Sequence, residues 1–328
     1  MTVTTTHKKI LSFNRTFFDL TAAHKRWGAS DALKPTQDQM DARRYEARDE
    51  IVMAISAALV TKRPLLVHGP PGSGKSSLAG FAAEVLGWRY YEHVITSRTQ
   101  AQDLLWSFDA IRRLSDTQAQ KQLAATSEYI DPGVLWWAFN PDAARRRGAR
   151  CEEGLVASPL DKLRWGQSDN AVVLLDEIDK ADPFVPNDLL VPLSDGWFDV
   201  TEINVRVTLP KERQVLLILT TNGERELAPA FLRRCVQLRL DAPDKAQLEK
   251  IARLHFGEED AKLHAQVANK LVDLRDSALK KRVRQPSTAE FLDAIRACRD
   301  LGIGPGDDEE WKRLSESLLE KPSTFTNG

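Results

Sequence analysis

Gly69-Pro70-Pro71-Gly72-Ser73-Gly74-Lys75-Ser76 is the stretch on which the reading of this chain turns. A short apolar run, Pro64-Leu65-Leu66-Val67-His68, precedes it, and Ser77-Leu78-Ala79-Gly80-Phe81-Ala82-Ala83-Glu84-Val85-Leu86 follows as a predicted amphipathic helix. Strand, glycine-rich turn and helix N-terminus together make the pattern of a phosphate-binding loop, or P-loop. Glycines let successive backbone N–H groups converge, and the helix adds unpaired donors and the positive end of its dipole. Gly69, Pro70, Pro71, Gly72, Ser73, Gly74, Lys75, Ser76 and Ser77 are therefore the expected nucleotide-binding residues. Lys75 is expected to reach the β- and γ-phosphates, and the Ser76 hydroxyl to ligate Mg²⁺. A chance match to this pattern in a chain this long is about one per cent likely at average residue frequencies.

Working outward, Val172-Val173-Leu174-Leu175-Asp176-Glu177-Ile178-Asp179 is an apolar strand ending in carboxylates. Downstream of a P-loop, Asp176 is placed to hold Mg²⁺ and Glu177 to polarise an attacking water. Taken alone, the same pattern is a solvated strand end. Leu219-Thr220-Thr221-Asn222-Gly223 closes another apolar run. Asn222 is expected beside the terminal phosphate, orienting the water, while Asn-Gly is also a strong turn dipeptide.

Five β-rich runs, Pro64–His68, Trp88–Ile95, Ala171–Leu175, Val215–Leu219 and Val236–Leu240, alternate with helical stretches. Continuous apolar strands are those covered on both faces, which predicts a three-layer α/β unit with a mostly parallel sheet. Residues 1–37 read as an extension whose Phe13, Phe17, Phe18 and Trp27 pack on the body, and residues 38–62 as helix. The α/β unit runs over 38–241, with an excess segment at about 96–170. Residues 242–328 read as a small all-helical domain, opened by Asp244 and containing the capping box Ser287-Thr288-Ala289-Glu290.

The order of these boxes, with Leu227-Ala228-Pro229-Ala230-Phe231-Leu232-Arg233-Arg234-Cys235, resembles that of an AAA+ ATPase over roughly residues 45–300. Asp176-Glu177-Ile178-Asp179-Lys180-Ala181-Asp182-Pro183, then Gly196-Trp197-Phe198-Asp199-Val200 and Ile203-Asn204-Val205-Arg206-Val207, is most similar to the MoxR-type branch. The resemblance implies an AAA+ αβα sandwich with a five-stranded sheet, a β-hairpin before the sensor strand, and a helical lid. It also implies Mg²⁺-dependent ATP hydrolysis in a ring, usually hexameric, that remodels a protein client, often one with a von Willebrand A domain. On that resemblance Arg234, or Arg233, is an arginine finger reaching a neighbouring subunit's nucleotide, the alternative being that one of them caps the preceding helix. A lid arginine is expected at Arg282 or Arg284, since Ala289 stands where many relatives carry it.

Lys+Arg 46 against Asp+Glu 47 gives a formal net charge of -1, so no global field draws the chain to nucleic acid or anionic membrane. Three scattered cysteines and six scattered histidines form neither a disulfide framework nor a metal-site pattern. The longest apolar run, Ile51–Val60, is too short to span a bilayer, and the N-terminus lacks a signal-peptide core. A cytoplasmic protein is the expectation. In the excess segment Trp136-Trp137 reads as core or as a partner surface, and Arg145-Arg146-Arg147 as a solvated loop or a site for nucleic acid or an acidic partner. Two other functions stay open: a nucleic-acid-associated or GTP-driven motor resembling McrB, and a nucleotide-stabilised scaffold. Asn222-Gly223-Glu224-Arg225 lacks the Asn-Thr-Ala-Asp signature of the former, and the presence of Glu177 weighs against the latter.

Overall fold

The computed structural model describes residues 17–29, 36–119, 123–148, 168–281, 284–304 and 308–320. Nine strands lie among them: β1 Leu65–His68, β2 Arg89–Val94, β3 Trp106–Phe108, β4 Ile130–Pro132, β5 Ala171–Asp176, β6 Trp197–Val200, β7 Val205–Thr208, β8 Val215–Thr221 and β9 Val236–Arg239. Five form one sheet in the order β2-β5-β8-β1-β9, every pair parallel. All five predicted strands are therefore present. Parallel pairing forces each connection to cross a face of the sheet, so both faces are covered.

Two apolar cores result. Leu65, Val67, Val172, Leu174, Leu216 and Ile218 face helices Asp49–Thr61 and Lys75–Leu86. The alternating set Leu66, Val173, Leu175, Leu217 and Leu219 packs on the other side with Trp136, Trp137, Phe139 and Phe198. Trp136 and Trp137 are thus core: 0% and 1% exposed. A third core joins helices Lys245–Phe256, Ala261–Lys281, Thr288–Leu301 and Asp308–Leu318 through Leu248, Val267, Leu271, Phe291, Ile295 and Trp311. Three-and-four spacing along each helix puts these residues on one stripe. An antiparallel hairpin, β6–β7, precedes β8, with Trp197 opposite Thr208.

The helix expected over 38–62 is corrected. Gln37–Arg43 is one helix, capped by Thr36, and Asp49–Thr61 is another. Between them Tyr45 stacks on Phe81, centroids 5.1 Å apart, and lies beside Gly74. Tertiary packing of one aromatic side chain overrides a favourable helical composition.

The aromatic extension divides. Phe18 is fully buried, edge-on to Phe81 at 5.9 Å, whereas Phe17 stays exposed. Trp27 is half-buried under the Arg43 guanidinium, and Phe13 lies outside the described residues. In the excess segment β3 and β4 pair antiparallel around helix Ala110–Gln118. Residues 120–122 and 149–167 of that segment, with Cys151, lie outside the described residues. The arginine run is bonded internally: Arg145 to Asp142, Arg146 Nε to the Asp142 carbonyl, and buried Arg147 to the Glu128 carbonyl at 3.0 Å. No helix among the described residues is long and apolar enough to cross a membrane.

Candidate functional site

Strand order brings the three boxes together. β8 lies between β5 and β1, so the carboxyl ends of these neighbours carry the acidic pair, the Thr-Thr-Asn box and the P-loop side by side. Crevices outside the carboxyl ends of parallel strands are where such sheets place ligands.

The loop itself is tightly moulded. Gly72 (φ +75°) and Gly74 (φ +88°) hold the left-handed conformation that favours glycine. A Cβ on Gly69 would fall 2.0 Å from the Leu240 carbonyl oxygen, so β9 closes on the loop from behind. Lys75 opens helix Lys75–Leu86 and is 7% exposed. Its ammonium donates to the carbonyls of Gly69 and Pro70, both at 2.9 Å, and to Asn222 Oδ1 at 2.8 Å. Burial pulls its pKa down, against the opposing attraction of Asp176, Asp179 and Glu177. Ser76 Oγ donates to both carboxylate oxygens of Asp176 at 2.9 Å. Thr220 Oγ1 also donates to Asp176 and accepts the Glu177 N–H at 2.9 Å, which ties β8 to the acidic turn.

Glu177 has φ 60° and ψ 48°, an unfavourable backbone for a residue with a Cβ. Its Oε1 accepts from Asn222 Nδ2 at 3.2 Å, and its Oε2 from Lys180 Nζ. One amide therefore contacts both the loop lysine and the acid. Asp179, 2% exposed, accepts from the Glu224 N–H and fixes the turn after Asn222.

A cavity of about 730 Å³ opens on these groups. Its lining includes Pro71 to Ser77, Asp176, Glu177, Thr220 and Asn222. The residues present fit a magnesium nucleotide on two counts. Ser73 Oγ is buried in the loop without a partner, and Ser76 with Asp176 is a hard-oxygen donor pair of the type Mg²⁺ prefers.

Other sequence-predicted residues stand apart. Arg233 and Arg234 precede β9, at the amino ends of the strands and outside the cavity lining. Arg234 Nη1 donates to the Ala230 carbonyl at 3.2 Å, a bond that caps its own short helix, while Arg233 is exposed. Arg284 also misses the cavity. It makes a two-pronged pair with Glu290, Nη1 to Oε1 at 3.0 Å and Nη2 to Oε2 at 3.3 Å. Arg282 lies outside the described residues. Ala289 does line the cavity.

Sequence reading missed two walls. One is the helix break, from which Arg44, Tyr45 and Arg48 face the cavity. The other is the rim of the C-terminal helices, including Pro243, Gln247, Ile251, His255 and Thr288. Ile251 and His255 are four apart on one helix, a spacing that puts both on one face and that the sequence does display.

Residues 64–235, more than half of the chain, match the model of a family described as AAA domain (dynein-related subfamily). No curated protein matches the chain. Among solved structures, the RuvB Holliday junction branch migration motor of Thermotoga maritima is similar at 15% identity and a TM-score of 0.43, with 86% of this chain and 70% of that one covered.

Proposed function

Because this chain belongs to the AAA domain family, dynein-related subfamily, we propose that it hydrolyses MgATP at subunit interfaces of a ring and uses the cycle to remodel a protein partner, in the manner of the MoxR-type branch. The observation that carries this reading is the convergence of Lys75, Ser76, Asp176, Glu177 and Asn222 on one cavity. The backbone of Gly69 to Ser77 would cradle the phosphates and Lys75 would leave its loop carbonyls to meet them. Ser76 and Asp176 would hold Mg²⁺, which when bound neutralises charge on the phosphate oxygens. Glu177 would take a proton from the attacking water, and Asn222 would hold that water in line.

Neither Arg233 nor Arg234 lines the cavity that holds that reaction centre. Arg233 and Arg234 sit at the opposite end of the strands, which supports their serving a neighbouring copy. A guanidinium always carries its charge and donates to two equatorial oxygens at once. Such a group is worth about 10³–10⁵ in rate, or roughly 4–7 kcal/mol of barrier. The internally bonded run Arg145–Arg147 gives the nucleic-acid reading no support.

The test is a Glu177→Gln variant assayed against the native protein with MgATP and MgGTP. Turnover is expected to fall by at least about 100-fold with nucleotide binding retained. Affinity capture on that variant is expected to hold the ring and its client together. Undiminished turnover overturns the assignment of Glu177.

A further inference from the structure

Arg275 is a buried charge that the nucleotide site leaves unexplained. It projects from helix Ala261–Lys281 and is 6% exposed. Among the described residues it forms no ion pair. Removing a guanidinium from water is unfavourable unless opposite charge and hydrogen-bond acceptors offset it; burial lowers the Arg275 pKa, and the attraction of the Glu290 carboxylate opposes that. Here Nε donates to the Pro286 carbonyl at 2.9 Å, Nη1 to the Pro243 carbonyl at 2.9 Å, and Nη2 to Thr288 Oγ1 at 3.4 Å.

The positions of those acceptors are informative. Pro243 immediately precedes the cap of helix Lys245–Phe256, and Pro286 precedes the cap of helix Thr288–Leu301. Pro243 and Thr288 both line the cavity. One side chain thus fastens two of the points at which the helical lid meets the site. The fastened rim in turn rests on the P-loop: Thr288 N–H donates to the Gly72 carbonyl at 3.3 Å, and Ser287 Cβ lies 2.3 Å from where a Gly72 Cβ would be. No lid arginine among the described residues lines the cavity, because Ala289 faces it and Arg284 is engaged by Glu290. The lid therefore meets the loop through backbone and small side chains, and their placement depends on what fixes them.

We propose that Arg275 is a positioning residue that seats the lid rim on the P-loop, so that nucleotide affinity depends on a side chain remote from the nucleotide. This rests on the nucleotide-binding reading given above. Lysine at 275 keeps the charge but loses the three-way fork.

Equilibrium binding of a fluorescent ATP analogue, with steady-state kinetics, tests it on the full chain in Arg275→Lys, Thr288→Val, the double variant and Lys75→Ala. Arg275→Lys and Thr288→Val are each expected to raise Kd about 10-fold, the effect of losing a charge-assisted hydrogen bond. For Arg275→Lys, KM rises with Kd while kcat stays within about two-fold. The double variant is expected to bind no worse than the weaker single one, since both remove the same coupling. Unchanged Kd in either single variant, or multiplied effects in the double, overturns the proposal. If Arg275→Lys fails to fold, the Kd of Thr288→Val decides. Lys75→Ala separates the two readings: native-like binding there removes the nucleotide site itself. Lost binding there beside an unchanged Kd in the lid variants removes only the role of Arg275.

Discussion

Among single residues, Glu177 joins backbone strain to the role proposed for it, and Asn222 donates to its carboxylate. Glu177 occupies left-handed backbone in which a Cβ is disfavoured by roughly 1 kcal/mol, and such positions persist where neighbours over-determine them. Its Lys180 pair is partly exposed and contributes little to stability. Glu177→Gly is therefore expected to abolish turnover without lowering the unfolding midpoint, a combination read by calorimetry beside an ATPase assay. Asn222→Asp would set a second carboxylate against Glu177 Oε1, now 3.2 Å from the amide nitrogen. Like charges at that distance raise one carboxyl's pKa, so a loss of turnover of about 10–100-fold is expected in a steady-state ATPase assay. Both residues are legible in the sequence because each ends an apolar strand at a set order from the P-loop. Arg275 is not legible: it sits in an ordinary amphipathic helix, and its partners come from 11 to 32 positions away.

Elements behave according to how locally they are specified. The inner strands β5 and β8 are readable because a strand buried on both faces needs an unbroken apolar run, and the edge strands β2 and β9 because they are rich in β-forming residues. The capping boxes at Asp244 and Ser287 mark two helix starts by their side chains alone. The break at Arg44–Arg48 hides in good helix formers, since what opens it is Phe81 and Gly74 across the chain. Loop glycines give a sharp test of the tight contacts. Gly69→Ala drives a Cβ into the Leu240 carbonyl and is expected to destabilise by about 3 kcal/mol in denaturant titration. Histidines give a test by pH. Burial lowers the pKa of His68, His93, His255 and His264 below the ordinary 6.5. The unfolded chain then takes up protons that the folded chain refuses, so stability is full above pH 6.5 and declines as pH falls beneath it. His264 is 1% exposed with neither ring nitrogen partnered. His264→Leu is expected to flatten that acid decline in denaturation curves taken at several pH values, with little effect near neutrality.

Over the whole molecule, the sheet keeps two groups of charges at opposite ends. The acids and the P-loop sit at the carboxyl ends of the strands, and Arg233 with Arg234 at the amino end of β9. Arg234→Ala is expected to lower turnover by about 10³-fold while leaving nucleotide affinity of the isolated chain unchanged. Mixing it with Glu177→Gln is expected to restore part of the rate wherever an intact acid meets an intact arginine, read as activity against mixing ratio. Absence of any rescue argues for a site complete within one chain. β9 itself is an edge strand of four residues, bonded along one side to β1. The arginine pair is attached to its start, and Asp241-Ala242-Pro243 leads from its end to the first lid helix. In the proposed ring, a neighbour leaning on the arginines would press on a strand about 13 Å long whose far end leads into the C-terminal helices that border the cavity.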